Sequence, residues 1–171
     1  MKKITLFFAI IGMIMLNACQ RNEIIQEPQQ DDDTIAEVFE LKGVNFVLNA
    51  GQYEIYRVLN PVIFASDNIL IYRLAGTINP TTPIWQLIPR TLFLPEGQLD
   101  YDFDFSKQDF TIYANGDYNL ALTPNYLNNQ TFRIVIIPGF FSGRMATAED
   151  FSDYHAVLKR YNISDKKVIQ L

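Results

Sequence analysis

Cysteine and histidine, which often carry nucleophilic or metal chemistry, occur once each in the 171-residue chain, as Cys19 and His155. A single thiol excludes an intramolecular disulfide, a cysteine-ligated zinc site and an iron–sulfur cluster in the monomer. A single histidine excludes a multi-histidine metal site, and no nucleophile pattern lies near His155 to form a triad. We therefore expect no metal, no cofactor and a structural role for His155.

The most regularly spaced acidic residues are Asp100, Asp102 and Asp104, which begin like a calcium-binding loop. An EF-hand needs glycine at the sixth position and glutamate at the twelfth, where this chain has Phe105 and Thr111. The EF-hand is therefore excluded. We expect the three carboxylates to form the solvated face of a strand, and calcium held between neighbouring strands is the alternative.

Signatures of common enzyme classes are absent from the sequence. Phe141-Ser142-Gly143 lacks the first glycine of the G-x-S-x-G nucleophile elbow, and no G-x-G-x-x-G dinucleotide fingerprint occurs. Acidic residues are plentiful enough for a glycosidase pair, but no spacing singles out two of them. We expect a protein that is not an enzyme, with a small carboxylate-dependent hydrolase as an alternative class.

Aromatic residues beside arginine are the remaining candidates for binding. Tyr56-Arg57 and Tyr72-Arg73 recur sixteen residues apart in similar tetrapeptides, and Trp85 opens another apolar run. Such rings, if exposed, could stack on sugars. More often the rings lie in a core and the arginine extends its apolar stem along it. We expect the core arrangement, whereas one patch of exposed rings would favour glycan binding.

These residues lie in a region that is predicted to consist of strands. From Val44 onward, apolar runs with a period of two alternate with Gly, Pro, Asn and Asp. A parallel α/β sheet is disfavoured, because it would need a helix between successive strands. We predict a mainly β fold, an antiparallel β-sandwich of about eight strands at residues 44–48, 53–59, 69–75, 84–87, 98–105, 110–114, 118–122 and 131–137.

The C-terminal part changes to a helical period and predicts one amphipathic helix that packs on the sheet. Thr147-Ala148-Glu149-Asp150 resembles a capping box, and Lys159-Arg160 would lie in the last turn, as the helix dipole favours. Asn162 would cap the helix, and residues 168–171 would add an edge strand. An apolar stripe at spacings of three, four and three residues comprises Phe151, Tyr154, Leu158 and Tyr161.

The N-terminus predicts export and a lipid anchor. Lys2 and Lys3 precede the largely apolar run 4–16, which is too short for a membrane-spanning helix but typical of a signal peptide. The run ends in Leu16-Asn17-Ala18-Cys19, which resembles the bacterial lipobox. The resemblance implies cleavage before Cys19, diacylation of its thiol and usually acylation of the new amino group. Two or more acyl chains anchor a protein stably, whereas one does so only marginally.

The chain divides into a signal peptide at 1–18, a lipidated cysteine with a flexible tether at 19–36 and a β-sandwich domain at 37–171. The tether is polar and has no sustained period. Within it, Asp33-Thr34-Ile35 is similar to the short acceptor pattern for O-glycosylation in exported Bacteroidetes proteins. Thr34 is therefore a candidate O-glycosylation site.

Five segments of the domain resemble blocks of a small Flavobacteria-type lipoprotein family of the Bacteroidetes, whose relatives often carry collagen-like repeats. The resemblance covers about residues 38–171 and implies a source and an envelope location, but no activity. This chain contains no run of Gly-x-y triplets, so we expect no collagen triple helix. The segments are residues 67–74, 85–89, 101–105, 132–138 and 153–157.

Composition limits the classes of partner. The chain is 49% hydrophobic, carries a net charge of −5 and has a pI near 4.8, which excludes a disordered protein and disfavours nucleic acid as a partner. We expect an outer-membrane lipoprotein, on the periplasmic face or the cell surface, with a structural or protein-interaction role towards an envelope protein. A glycan- or other ligand-binding β-sandwich module is the alternative.

Overall fold

The computed structural model describes residues 36–139, 151–165 and 168–171, which form two five-stranded sheets and an α-helix packed on one of them. Two short 3-10 helices, Leu120–Leu122 and Pro124–Tyr126, precede the ninth strand. The strands are β1 Glu37–Val44, β2 Val47–Asn49, β3 Gln52–Val58, β4 Asn68–Asn79, β5 Thr82–Ile88, β6 Arg90–Leu94, β7 Gly97–Phe105, β8 Asp109–Gly116, β9 Gln130–Ile137 and β10 Ile169–Gln170, and the helix is α1 Tyr154–Arg160.

The strands divide into two sheets that face each other. Sheet I has the order β10-β1-β9-β4-β5 and sheet II the order β2-β3-β8-β7-β6. Neighbouring strands are antiparallel, apart from β10, which pairs in parallel with β1. The predicted mainly β sandwich is therefore confirmed, with ten strands in place of about eight.

The core between the sheets comes from the alternation of side chains along each strand. Both sheets contribute fully buried residues to it, and β9 is buried almost continuously because sheet I is covered on both faces. The strand predicted at 131–137 is therefore confirmed, and it lies in the middle of sheet I. The buried core residues include Leu41, Ile71, Phe132 and Ile134 from sheet I and Ile55, Leu99, Tyr101 and Ile112 from sheet II.

A second apolar cluster fixes α1 to the outer face of sheet I. Tyr154, Val157, Leu158 and Tyr161 of the helix region are buried against it, which confirms the predicted amphipathic packing. The helix begins at Tyr154, with the Asp153 carboxylate accepting from the Ala156 amide at 3.1 Å. The predicted capping box at 147–150 lies outside the described residues.

The end of α1 and the last strand agree with the sequence. Asn162 has a positive φ of 55°, which asparagine tolerates better than most residues, and the Ile163 amide donates to the Leu158 carbonyl at 2.9 Å. This closes the helix in a Schellman-type turn, so the predicted cap is confirmed. The edge strand predicted at 168–171 is also confirmed, as β10.

The strand predicted at 118–122 is wrong. Tyr118, Leu120 and Leu122 alternate as in a strand, but the Asn119 side chain accepts from the Ala121 amide and starts the first 3-10 helix. Leu122 consequently faces solvent with 68% exposure. The strand predicted at 44–48 is also wrong, because those residues span the end of β1 and the start of β2. Strand β6 was not predicted from the sequence.

Candidate functional site

The outer face of sheet II stays exposed to solvent within the described part of the chain. On β7 the predicted alternation is present: Leu99 and Tyr101 are buried in the sandwich, while Asp102 and Asp104 are exposed. Strand pairing sets these acids beside outward residues of β8 and β3. We call this surface the acidic face, and it comprises Glu54, Tyr56, Asp100, Asp102, Asp104, Asp109, Thr111 and Tyr113.

Each carboxylate of the β7 row already accepts a hydrogen bond from the protein. The Thr91 hydroxyl donates to Asp100, the Phe103 amide donates to Asp102 at 2.8 Å, and the Tyr113 hydroxyl donates to Asp104 at 2.9 Å. Across the described ranges, no group of three or more His, Cys, Asp or Glu side chains is placed to hold a metal ion.

Tyrosines alternate with acids on the acidic face. Tyr113 lies between Glu54 of β3 and Asp102 of β7, and Tyr56 lies beside Thr111. The Tyr56 hydroxyl donates to Asp109 at 3.0 Å, and this hydrogen bond raises the pKa of Tyr56 above its ordinary value. The face therefore combines fixed negative charge with aromatic rings.

One edge of the acidic face opens into a groove of about 390 Å³. Asp100 and Asp102 line it together with Arg90, the first residue of β6, and Asn115 of β8. Arg90 is a cation at the rim, whereas the outward strand positions of the face itself carry neither Lys nor Arg. The groove is therefore polar and predominantly acidic.

The two Tyr-Arg pairs have opposite placements. Tyr72 is buried, as predicted, but Arg73 is buried too and does not extend its guanidinium to solvent. Tyr56 is 50% exposed, so the core prediction for it is wrong. β3 lies in sheet II, whose outer face has no helix against it in the described structure, so the outward ring of Tyr56 meets water.

Arg73 is held inside the sandwich by aromatic rings and an amide. Its guanidinium carbon lies 4.7 Å from the centre of the Tyr101 ring, and its Nε donates to the Gln130 amide oxygen at 2.9 Å. Burial raises the pKa of Tyr101 to about 12, against the opposing effect of the Arg73 charge. This cluster is part of the core and presents nothing to a ligand.

Arg133 lies at the centre of a cluster of charged and aromatic side chains that the sequence analysis did not identify. On the outer face of sheet I, its guanidinium contacts Glu40 at 3.2 Å, Asp165 at 3.0 Å and the Tyr154 hydroxyl at 2.5 Å. It also lies 4.6 Å from the centre of the Trp85 ring. Burial lowers the pKa of Arg133, but Tyr154 and Glu40 outweigh burial and raise it. The cluster fastens α1 to the sheet.

The remaining sequence candidates are placed as follows. His155 lies on the exposed side of α1, with its ring centre 5.3 Å from that of Tyr154. The indole nitrogen of Trp85 is buried and has no hydrogen-bond partner among the described residues. Cys19, Thr34 and the segment 141–143 lie outside the described residues. In the described parts of the chain, no helix has the length and apolar character to cross a membrane.

Comparison of the chain with protein-family models, with curated proteins and with solved structures finds no match in any of the three. The function is therefore proposed from the chemistry of the chain itself.

Proposed function

We propose that this protein is a cell-envelope lipoprotein, held at the outer membrane by lipid on Cys19, that binds a partner protein and performs no catalysis. The observation that carries the proposal is the acidic face, a strand surface that no other described part of the chain covers. The outer face of sheet I, by contrast, is covered by α1.

Charge and shape favour a protein partner for this face. A surface of three strands offers a broad area of side chains, and acids without intervening cations attract a surface of opposite charge. Tyrosines are enriched at protein interfaces because each ring supplies large contact area and a polar tip. Tyr56 and Tyr113 supply both among the carboxylates.

The distribution of reactive groups supports binding over catalysis. A catalytic carboxylate pair is expected to have environments that separate the two pKa values. On the acidic face the carboxylates are solvent-facing and are hydrogen-bonded to neutral donors, as in Thr91–Asp100 and Tyr113–Asp104. This arrangement is typical of a surface that recognises a partner. It is not typical of a catalytic site in which one carboxyl group acts as a general acid and the other as a general base.

Site-specific photo-crosslinking in intact cells tests the proposal. A benzophenone side chain replaces Thr111 in the middle of the acidic face, and the matched control replaces exposed Lys159 on α1. We expect a discrete protein adduct from position 111 only, and we expect Asp102→Asn with Asp104→Asn to weaken it. Equal adducts at both positions, or an adduct insensitive to the two Asn substitutions, would contradict the proposal.

A second candidate function is glycan binding. A different observation favours it: two tyrosines line a groove at one end of sheet II.

A further inference from the structure

At the end of sheet II, the β2–β3 hairpin, the end of β8 and the first 3-10 helix surround a groove of about 350 Å³. Its lining includes Tyr53 and Tyr118, the amides of Asn115 and Asn119, and Leu48. None of the described residues that line it carries a charge. This tyrosine groove shares Asn115 with the groove beside Arg90 but differs from it in having no charged residue in its described lining.

The two rings are held in place by the core beneath them. Tyr53 and Tyr118 are partly buried and pack against the sandwich core, so each leaves part of its ring accessible. The Tyr118 hydroxyl shares a hydrogen bond of 2.6 Å with the Thr123 hydroxyl. A ring whose position is fixed before binding loses little conformational entropy when a ligand stacks on it.

The hairpin fixes one wall of the groove. Leu48 and Tyr53 are directly paired across β2 and β3, and the turn between the strands is Ala50-Gly51, with φ of 49° and 91°. Two central residues with positive φ are typical of the tight hairpin turn that matches strand twist. The wall therefore presents an apolar side chain, 58% exposed, next to an aromatic ring.

The amides provide directional hydrogen bonding. An asparagine side chain offers two donors and a carbonyl acceptor. The Asn119 carbonyl oxygen accepts from the Ala121 amide at 3.1 Å, which leaves its NH₂ group to donate. Asn115 is exposed at the end of β8, and the described structure gives its side chain no hydrogen bond. Both amides can therefore serve a ligand that carries hydroxyl groups.

We propose that the tyrosine groove binds a neutral carbohydrate, one or two sugar units of a glycan chain. Sugars combine an apolar face of C–H groups, which stacks on aromatic rings, with hydroxyl groups that pair with amides. The volume lies near the lower limit for small-ligand pockets, which fits a short segment of glycan. The described lining residues include no cation, and the nearby acidic face is negatively charged, so an acidic glycan is disfavoured.

Affinity electrophoresis of the full chain in mild detergent tests this proposal. The gels contain a neutral glucan, mannan or galactan, or a polyuronate as the charged comparison. We expect a neutral polysaccharide to retard the wild type, and Asn115→Ala to weaken its apparent affinity about three- to tenfold, as loss of one hydrogen bond does. Asn115→Trp, which places a large ring in the groove, should abolish retardation.

The matched control is Asn68→Ala, the same substitution at an exposed position on sheet I. It should bind like the wild type, and all variants should keep the wild-type melting temperature. The proposal is overturned if no neutral polysaccharide retards the protein, if only the polyuronate does, or if Asn115→Ala matches the control. The crosslinking experiment reads a different surface, so either proposal can fail alone.

Discussion

Arg133 shows how a single guanidinium can join distant parts of a chain. It donates to Glu40 on β1, to Asp165 after α1 and to Tyr154 on α1. The Arg133 and Glu40 side chains are only 14% and 15% exposed, so water screens this ion pair weakly. Removing the arginine leaves two carboxylates without their cation.

We predict that Arg133→Met lowers the free energy of unfolding by about 3 kcal/mol, because a poorly solvated carboxylate loses its partner. Urea denaturation measures the change. Adding Glu40→Gln to this variant should recover part of the loss, since the amide carries no charge. If the two substitutions prove strictly additive, the pair is not coupled and the argument fails.

Buried tyrosines make stability depend on alkaline pH. Burial raises the pKa of Tyr154 to about 12, against the lowering effect of Arg133, and that of Tyr101 also to about 12. An unfolded tyrosine ionises near pH 10. Because the folded pKa is the higher one, the stabilisation is complete below about pH 10 and is lost as pH rises towards about 12.

Tyr154→Phe should therefore lose less stability between about pH 9 and about pH 11 than the wild type does. The substitution also removes the hydrogen bond from Arg133, which lowers stability at all these pH values without changing the slope. Urea titrations at both pH values separate the two effects. An unchanged slope in Tyr154→Phe would show that Tyr154 is not responsible.

The β7 acids are predicted to be a solvated row that binds no metal. Replacing Asp100, Asp102 and Asp104 by Asn should change the free energy of unfolding by no more than about 0.5 kcal/mol each, as surface substitutions do. Calcium should leave the melting temperature unchanged. A bound ion at 100 times its dissociation constant would add about 2.7 kcal/mol, so a calcium-dependent rise that the triple variant lacks would contradict the prediction.

Helix α1 is only seven residues long, and its stability comes from packing and capping. Asp153→Ala removes the acceptor for the Ala156 amide and should cost about 1 kcal/mol. The matched variant Asp153→Asn keeps an acceptor at the same position and should retain most of the stability. Thermal unfolding of both distinguishes loss of the cap from a general effect of substitution.

Strands with a regular alternation or an almost unbroken apolar run could be predicted from the sequence, and others could not. The alternation along residues 98–105 predicts β7 to within one residue, because one side meets the core and the other water. β1 is covered on both faces, with Leu41 in the sandwich and Val38 under α1, but it was missed because charged residues interrupt its apolar run. Of these charged residues, Glu40 lies on the covered outer face and pairs with Arg133.

The candidate sites depend on contacts that no local pattern reveals. Glu40 and Arg133 are 93 residues apart, and the tyrosine groove joins Tyr53 to Tyr118 through the pairing of β3 with β8. The sequence did predict the Asp row as an outward face. The order of the strands determines which tyrosines lie beside those acids. The periodicity of the sequence does not give that order.

For the molecule as a whole, the anchor is the most direct prediction. Cys19→Ser should release the protein from membranes and abolish labelling by a fatty-acid analogue, because it removes the only thiol. Fractionation of cells that express the variant measures the release. Continued membrane association of the processed variant would contradict lipid attachment at Cys19.

The position of β1 has a mechanical consequence for an anchored protein. Any tension on the proposed lipid anchor would reach the first described strand at Glu37, where β1 begins. β1 is hydrogen-bonded on both sides, to β9 and to β10, and the Leu171 amide adds a bond to the Glu40 carbonyl at 3.1 Å. Pulling out an edge strand breaks the hydrogen bonds to one neighbouring strand, whereas pulling out β1 breaks the hydrogen bonds to two. The sandwich therefore bears tension through a strand that resists extraction.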